Sequence, residues 1–124
     1  MLQKVFTTLA FLVLAGIANA GLVPMAMEVP APQRFMIERD IPGASRMTPA
    51  ELQAAAAKSN GVLRSLGPDI QWVHSYVAGD KIYCVYQSPT EALIRLHAER
   101  SGIPVSRITP IVRVIDPSTA AGGR

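Results

Sequence analysis

Residues 70–87 read IQWVHSYVAGDKIYCVYQ, and in this stretch two runs rich in β-branched and aromatic residues surround a Gly-Asp pair. The pattern predicts two antiparallel strands joined by a tight two-residue turn. If Gly79 and Asp80 form the turn, Ala78 faces Lys81. Counting outward from the turn then predicts the pairs 77:82, 76:83, 75:84 and 74:85.

This register divides the hairpin into two surfaces, because successive side chains of a strand point to opposite faces of a sheet. One surface is aromatic with an imidazole in its centre and consists of Trp72, His74, Tyr76, Tyr83 and Val85. The other surface is mostly small and apolar and consists of Val73, Ser75, Val77, Ile82, Cys84 and Tyr86. The second surface suits packing under helices, so we predict that Cys84 is a buried hydrophobe and not a ligand or nucleophile.

The segments before the hairpin predict a strand and a helix. Arg34–Asp40 has the composition of a strand and ends at a turn over Ile41-Pro42-Gly43. Thr48-Pro49-Ala50-Glu51 has the form of a capping box with proline at the first helical position. A helix is therefore predicted from this box to about Leu66, where Gly67 and Pro68 end it.

The segments after the hairpin predict a second helix and a closing strand. Ser88-Pro89-Thr90-Glu91 repeats the helix-start signal, and Gly102 is the predicted stop. Arg107–Ile115 is predicted to close the sheet, with Pro110 confining its first half to an edge or a bulge. The order β-α-β-β-α-β predicts an α+β ferredoxin-like sandwich, in which two helices cover one face of a four-stranded antiparallel sheet. The other face is then open.

The first twenty residues have the features of a secretory signal peptide. Lys4 supplies the positive charge, Val5–Ile17 the apolar segment and Ala18-Asn19-Ala20 an A-x-A cleavage site. A retained membrane anchor is the alternative, but the apolar run is too short to span a bilayer comfortably. We predict a secreted or periplasmic protein with no membrane association after cleavage, an extended linker over residues 21–33, a domain over 34–117 and a tail over 118–124.

Composition excludes some classes of function. The formal net charge is +3, or +2 once Lys4 is removed, and no basic run is present, so nucleic acid is not a predicted partner. The single cysteine cannot form an internal disulfide, so the domain must be stable through its core. The sequence contains no CxxC, HExxH, GxGxxG or P-loop motif, and it favours a non-catalytic protein over an enzyme.

The open face carries the candidate ligands. Alternation places Phe35 and Ile37 under the helices, and therefore Met36 and Glu38 on the open face. A face of this apolar character is most simply buried by a second copy, sheet against sheet, and a two-fold interface brings each group near its own mate. A histidine and carboxylates at such an interface suit a divalent ion such as nickel or zinc.

Other residues have two open interpretations each. Tyr76 and Tyr83, with Trp72, would orient the ligands or line a pocket, or else form cross-strand aromatic packing. Asp40 would cap the following turn or reach a metal. His97, in the second predicted helix, would be a structural or surface residue or a further ligand.

Three blocks of the sequence resemble the small nickel-binding ferredoxin-like family, whose members are mostly catalogued as a domain of unknown function. The blocks are Phe35–Gly43, Gln71–Val77 and Asp80–Tyr86, and the resemblance extends over about Arg34–Pro117. It implies a homodimer of ferredoxin-like subunits and, in at least some members, bound nickel. The positions that match the family's polar motif residues are, in order of preference, His74, Glu38, Asp40 and His97.

Three hypotheses follow. The first is an exported homodimeric metal-binding protein that binds nickel or another divalent transition metal, and export favours capture outside the cytoplasm over intracellular sensing. The second is a dimeric ferredoxin-like barrel enzyme of the cofactor-free oxygenase kind, or a small-molecule-binding module. It requires a deep pocket between sheet and helices that contains a titratable group. The third is an interaction module whose open face only dimerises.

Overall fold

The computed structural model describes residue 21 and residues 28–122 of the chain. The predicted signal peptide therefore lies outside the described residues, as do residues 22–27 of the predicted linker and residues 123–124 of the predicted tail. In the part that is described, no helix has both the length and the apolar character needed to cross a membrane.

Strands and helices follow one another in the predicted order. They are β1 (Gln33–Asp40), α1 (Pro49–Leu66), β2 (Gln71–Ala78), β3 (Lys81–Ser88), α2 (Glu91–Ser101) and β4 (Arg107–Pro110). The four strands form one antiparallel sheet in the order β2-β3-β1-β4. The ferredoxin-like α+β fold is thereby confirmed, with β1 and β3 as the central strands.

The hairpin has the predicted register up to one point. β2 and β3 pair as predicted from Ala78:Lys81 to His74:Val85. A β-bulge at Val73 then adds one residue to β2, so that Trp72 pairs with Tyr86. Because the extra residue reverses the alternation, Trp72 lies on the helix side, where its ring stacks on that of Tyr86 with 6.5 Å between centroids. The prediction that Trp72 belongs to the open face is wrong.

The core lies between the sheet and the two helices. Its buried members are Phe35, Ile37, Ile70, Cys84, Tyr86 and Ile94. The inward positions predicted for Phe35, Ile37 and Cys84 are confirmed. β1 also directs a charged residue inward, because Arg39 continues the alternation and is only 2% exposed.

Both helices end as predicted, but only the first begins as predicted. The hydroxyl oxygen of Thr48 accepts a hydrogen bond from the Glu51 backbone at 3.2 Å, and the Glu51 carboxylate accepts one from the Thr48 backbone at 2.7 Å. α2 is capped by Thr90, whose hydroxyl accepts from the Leu93 backbone, and not by Ser88. Ser88 is still part of β3, where it faces Gln33, so the predicted capping box at 88–91 is wrong by two residues.

Replacing Thr48 with alanine is expected to lower the free energy of unfolding by about 1 kcal/mol, because the first turn of α1 loses its side-chain acceptor. Thr48→Ser keeps the acceptor and is expected to cost much less. Urea denaturation followed by circular dichroism measures both variants. Equal losses in the two variants would contradict a capping role for the hydroxyl.

The closing strand is shorter than predicted. β4 ends at Pro110, which faces Phe35 at the edge of the sheet, whereas Arg107–Ile115 was the predicted extent. Proline has no backbone N–H to donate to a ladder, which agrees with the strand ending there. Residues 111–116 have no regular structure, and Pro117–Ala121 forms a short 3-10 helix that begins at Asp116.

Candidate functional site

The open face of the sheet, on the side opposite the helices, holds two cross-strand rows. One row is Tyr76, Tyr83, Glu38 and Arg107, and the other is His74, Val85, Met36 and Thr109. The bulge removes Trp72 from this face, and Val85 is buried. The face is therefore less apolar than the sequence predicts, and its most exposed aromatic ring belongs to Tyr76, which is 58% exposed.

His74 presents an exposed imidazole on the edge strand β2. The Tyr76 ring packs edge-on against it, with 5.0 Å between centroids and planes inclined at 73°. Two strand spacings of about 4.8 Å separate β2 from β1, so His74 and Glu38 lie on the same face without being neighbours. His74 and Tyr76 lie on the same face of β2, as the hairpin register predicts.

Glu38 and Asp40 are already paired with cations. Glu38 lies 3.6 Å from the Lys81 ammonium and 3.5 Å from the Arg107 guanidinium. Asp40 lies 3.2 Å from Lys81, and hydrogen bonds with Ser106 and then Lys81 hold the pKa of Asp40 below its ordinary value. The hydrogen bond with Asp40 raises the pKa of Lys81 in turn. A metal ion at these carboxylates would compete with Lys81.

The turn after β1 is capped by an aspartate of the hairpin loop. The Gly43 backbone N–H donates to the Asp80 carboxylate at 2.8 Å, and Gly43 has a φ of +78°. Asp80 thus takes the turn-capping role that was one interpretation of Asp40. The Asp40 carboxylate points instead to the open face, with Lys81.

His97 lies behind the sheet. Its imidazole is fully buried, with Nε2 at 3.1 Å from the Ser59 hydroxyl and its ring 5.3 Å from that of Tyr86. Burial, and then the positive charge of Arg39, lower the pKa of His97. The expectation that His97 joins the other three candidates in one site is not met, because the sheet separates them. Among residues 28–122, no three His, Cys, Asp or Glu side chains are grouped closely enough to hold a metal ion.

A pocket of about 570 Å³ lies on the helix side, between α1 and the sheet. Its walls come from α1, β2, β3 and the loops at 41–47 and 102–104, and its larger side chains include Met47, Leu52, Trp72, Ile82 and Tyr86. The buried residues of its lining include Arg39 and Cys84, together with the hydroxyl groups of Ser59 and Tyr86. A pocket of the kind that the small-molecule hypothesis requires is therefore present.

Arg39 is the site residue that the sequence reasoning missed. The signal was available, because the same alternation that directs Phe35 and Ile37 inward also directs Arg39 inward. A charged residue at an inward position of a central strand is uncommon unless it is paired or functional.

Residues 35–111 match the model of a protein family described as "Nickel responsive protein SCO4226-like". The structure is similar to the crystal structure of SCO4226 from Streptomyces coelicolor A3(2), with a TM-score of 0.56 at 19% sequence identity. The similarity covers 66% of this chain and 99% of that chain, and at this identity it shows a common fold. No curated protein matches the sequence.

Proposed function

Because the chain belongs to the SCO4226-like family of nickel responsive proteins, we propose that it binds nickel on the open face of its sheet and that two copies complete the site. The family match carries this proposal, since it spans every candidate ligand on the open face. Within one protomer the described donors are too dispersed for a metal site. A second copy would supply the same donors again across a two-fold axis.

His74 is the first candidate ligand. Its imidazole is exposed on the open face, and imidazole nitrogen is a preferred donor for nickel. In a face-to-face dimer, the two His74 rings would contribute one nitrogen each. Tyr76, whose ring supports that of His74, would then hold the imidazole in orientation.

The carboxylates rank below His74. Glu38 would bind the metal in competition with Lys81 and Arg107, and Asp40 in competition with Lys81. His97 is left out of the proposed ligand set, because its imidazole packs between α1 and the sheet. The signal-peptide features of residues 1–20 support export, so that nickel binding would take place outside the cytoplasm.

Untagged wild-type protein is expected to retain nickel after loading and desalting, whereas His74→Ala is expected to lose it. The metal content is measured by mass spectrometry of the desalted protein. A free nickel concentration about a hundredfold above the dissociation constant is also expected to raise the thermal unfolding midpoint of the wild-type protein by several degrees. Zinc and cobalt, tested in parallel, establish the metal preference.

His97→Gln is the matched control, because it removes the other of the two histidines in the chain. It is expected to keep its nickel, provided circular dichroism shows a folded protein. Light scattering with and without nickel tests the dimer. Wild-type protein that retains no nickel above background, or His74→Ala that retains as much as wild type, would refute the proposal.

A further inference from the structure

Arg39 is a buried cation without a counter-ion in the described part of the chain. Its side chain is 2% exposed, and the ion pairs among residues 28–122 involve other residues. A guanidinium stays charged in proteins, and burying a charge without an opposite charge is costly. The position therefore favours an anion that arrives from outside the chain.

The hydrogen bonds of Arg39 leave one nitrogen free. Nε donates to the Cys84 sulfur at 3.3 Å, and Nη1 donates to the Pro104 carbonyl oxygen at 2.9 Å. Nη2 is buried and has no hydrogen-bond partner. Neither partner is a carboxylate, so the two hydrogen bonds position the guanidinium without an ion pair to an acidic side chain.

The pocket that Arg39 lines has the size and character of a small-molecule site. Its volume of about 570 Å³ lies in the range typical of ligand pockets, which are mostly apolar with a few polar groups. Leu52, Ala55 and Ala56 of α1 form one side, and Trp72 and Ile82 belong to the opposite side. A mostly apolar pocket with one cation suits a ligand that has an apolar body and a single negative charge.

The charged and titratable groups around the pocket do not replace such an anion. Asp40 contributes to the lining, but its carboxylate is exposed and paired with Lys81 at 3.2 Å. His97 packs beside Tyr86, and the lowered pKa of its buried imidazole favours the neutral form. The Cys84 sulfur accepts a hydrogen bond from Arg39 itself.

From these observations we propose that the pocket binds a small organic carboxylate with an apolar body, and that the Arg39 side chain in its lining pairs with the carboxylate group. This site lies on the opposite side of the sheet from the proposed nickel site, so the two proposals stand independently. A hydrogen bond between two charged groups contributes more binding free energy than one between neutral groups. Arg39 would therefore make the pocket prefer a carboxylate over an uncharged ligand of the same shape.

Octanoate and 1-octanol test the proposal, because they share an alkyl chain and differ in charge. Trp72 is the single tryptophan of the chain and lines the pocket, so its fluorescence reports on occupancy. Isothermal titration calorimetry measures the affinities. Octanoate is expected to bind wild-type protein at least roughly tenfold more tightly than 1-octanol.

Two variants assign the binding to this pocket. Arg39→Met is expected to reduce octanoate affinity to that of 1-octanol, and Arg39→Lys, which keeps a positive charge, is expected to restore part of the preference. Ala56→Leu fills the pocket from α1 and is expected to weaken the binding of both compounds. Val112→Ala, at an exposed position outside the pocket lining, is the control and is expected to bind octanoate as wild type does.

Three results would overturn the proposal: no saturable octanoate binding to wild-type protein, equal affinities for octanoate and 1-octanol, or octanoate binding that Ala56→Leu leaves unchanged. If Arg39→Met does not fold, the wild-type comparison and Ala56→Leu decide the question. Nickel retention plays no part in these outcomes, so failure of one proposal is distinguishable from failure of the other.

Discussion

Tyr86→Ala is expected to lower the free energy of unfolding by about 3–5 kcal/mol, the range for removing a buried aromatic ring. Tyr86 is 2% exposed in the middle of the core. Its ring stacks on that of Trp72 and lies 5.3 Å from that of His97, so its removal would leave a cavity that two other rings border. Urea denaturation followed by far-ultraviolet circular dichroism measures the loss.

Tyr86→Phe is the matched variant, because it keeps the ring and removes only the hydroxyl. That hydroxyl lies 3.3 Å from the Ser59 hydroxyl, and losing this hydrogen bond is expected to cost about 1 kcal/mol. Burial raises the pKa of Tyr86, so the phenol stays protonated and both variants can be compared at neutral pH. Equal losses in the two variants would contradict the packing described for the ring.

Lowering the pH below about 6.5 is expected to destabilise the protein through His97. Burial, and then the charge of Arg39, hold the pKa of His97 in the folded state below its ordinary value of 6.5. The unfolded chain therefore binds the proton first as the pH falls. The stability from neutral His97 is fully present above 6.5 and is lost as the pH falls toward the folded pKa, with a slope of at most about 1.4 kcal/mol per pH unit.

His97→Gln is expected to flatten this part of the stability profile, whatever its effect at neutral pH. Wild-type protein measured in parallel gives the reference slope. Chemical denaturation at several pH values between 7.5 and roughly 5.5 keeps the measurement above the range in which ordinary carboxylates titrate. A slope that persists undiminished in His97→Gln would contradict this assignment.

The hairpin explains why the fold could be predicted in advance. A two-residue turn at Gly79-Asp80 determines the pairs next to it, and the predicted register is correct from Ala78 to His74. Hydroxyl residues next to proline located both helix starts within two residues. These signals are local, because the turn and cap residues lie within a few residues of the strand pairs and helix starts that they determine.

The differences arise where the cause lies far along the chain. The bulge at Val73 accompanies the stacking of Trp72 on Tyr86 in the core, and nothing in the segment Gln71–Val77 marks the extra residue. Ser88 and Thr90 are equally good caps by type, and the choice between them depends on Ser88 pairing with Gln33 in the sheet. Both differences therefore come from tertiary contacts.

The candidate site was predictable only in part. Alternation correctly places Glu38 and His74 on the open face, but it does not reveal that Lys81 and Arg107 already neutralise Glu38. The pocket is a gap between α1 and the sheet, and its volume depends on how far apart two elements pack. The inward position of Arg39 could have been predicted from the alternation of side chains along β1. A buried charged side chain is the feature by which the helix side of the sheet differs from the open face.

The two edges of the sheet limit how this protein can aggregate. The edge strand β2 is distorted by the bulge at Val73, and the edge strand β4 is four residues long and ends at Pro110. A short, bulged or proline-containing edge strand has few unpaired backbone N–H and C=O groups in the regular spacing that a strand of another molecule needs for pairing. We therefore expect the folded protein to resist growing into a continuous intermolecular sheet or seeding a fibril, even when it is concentrated.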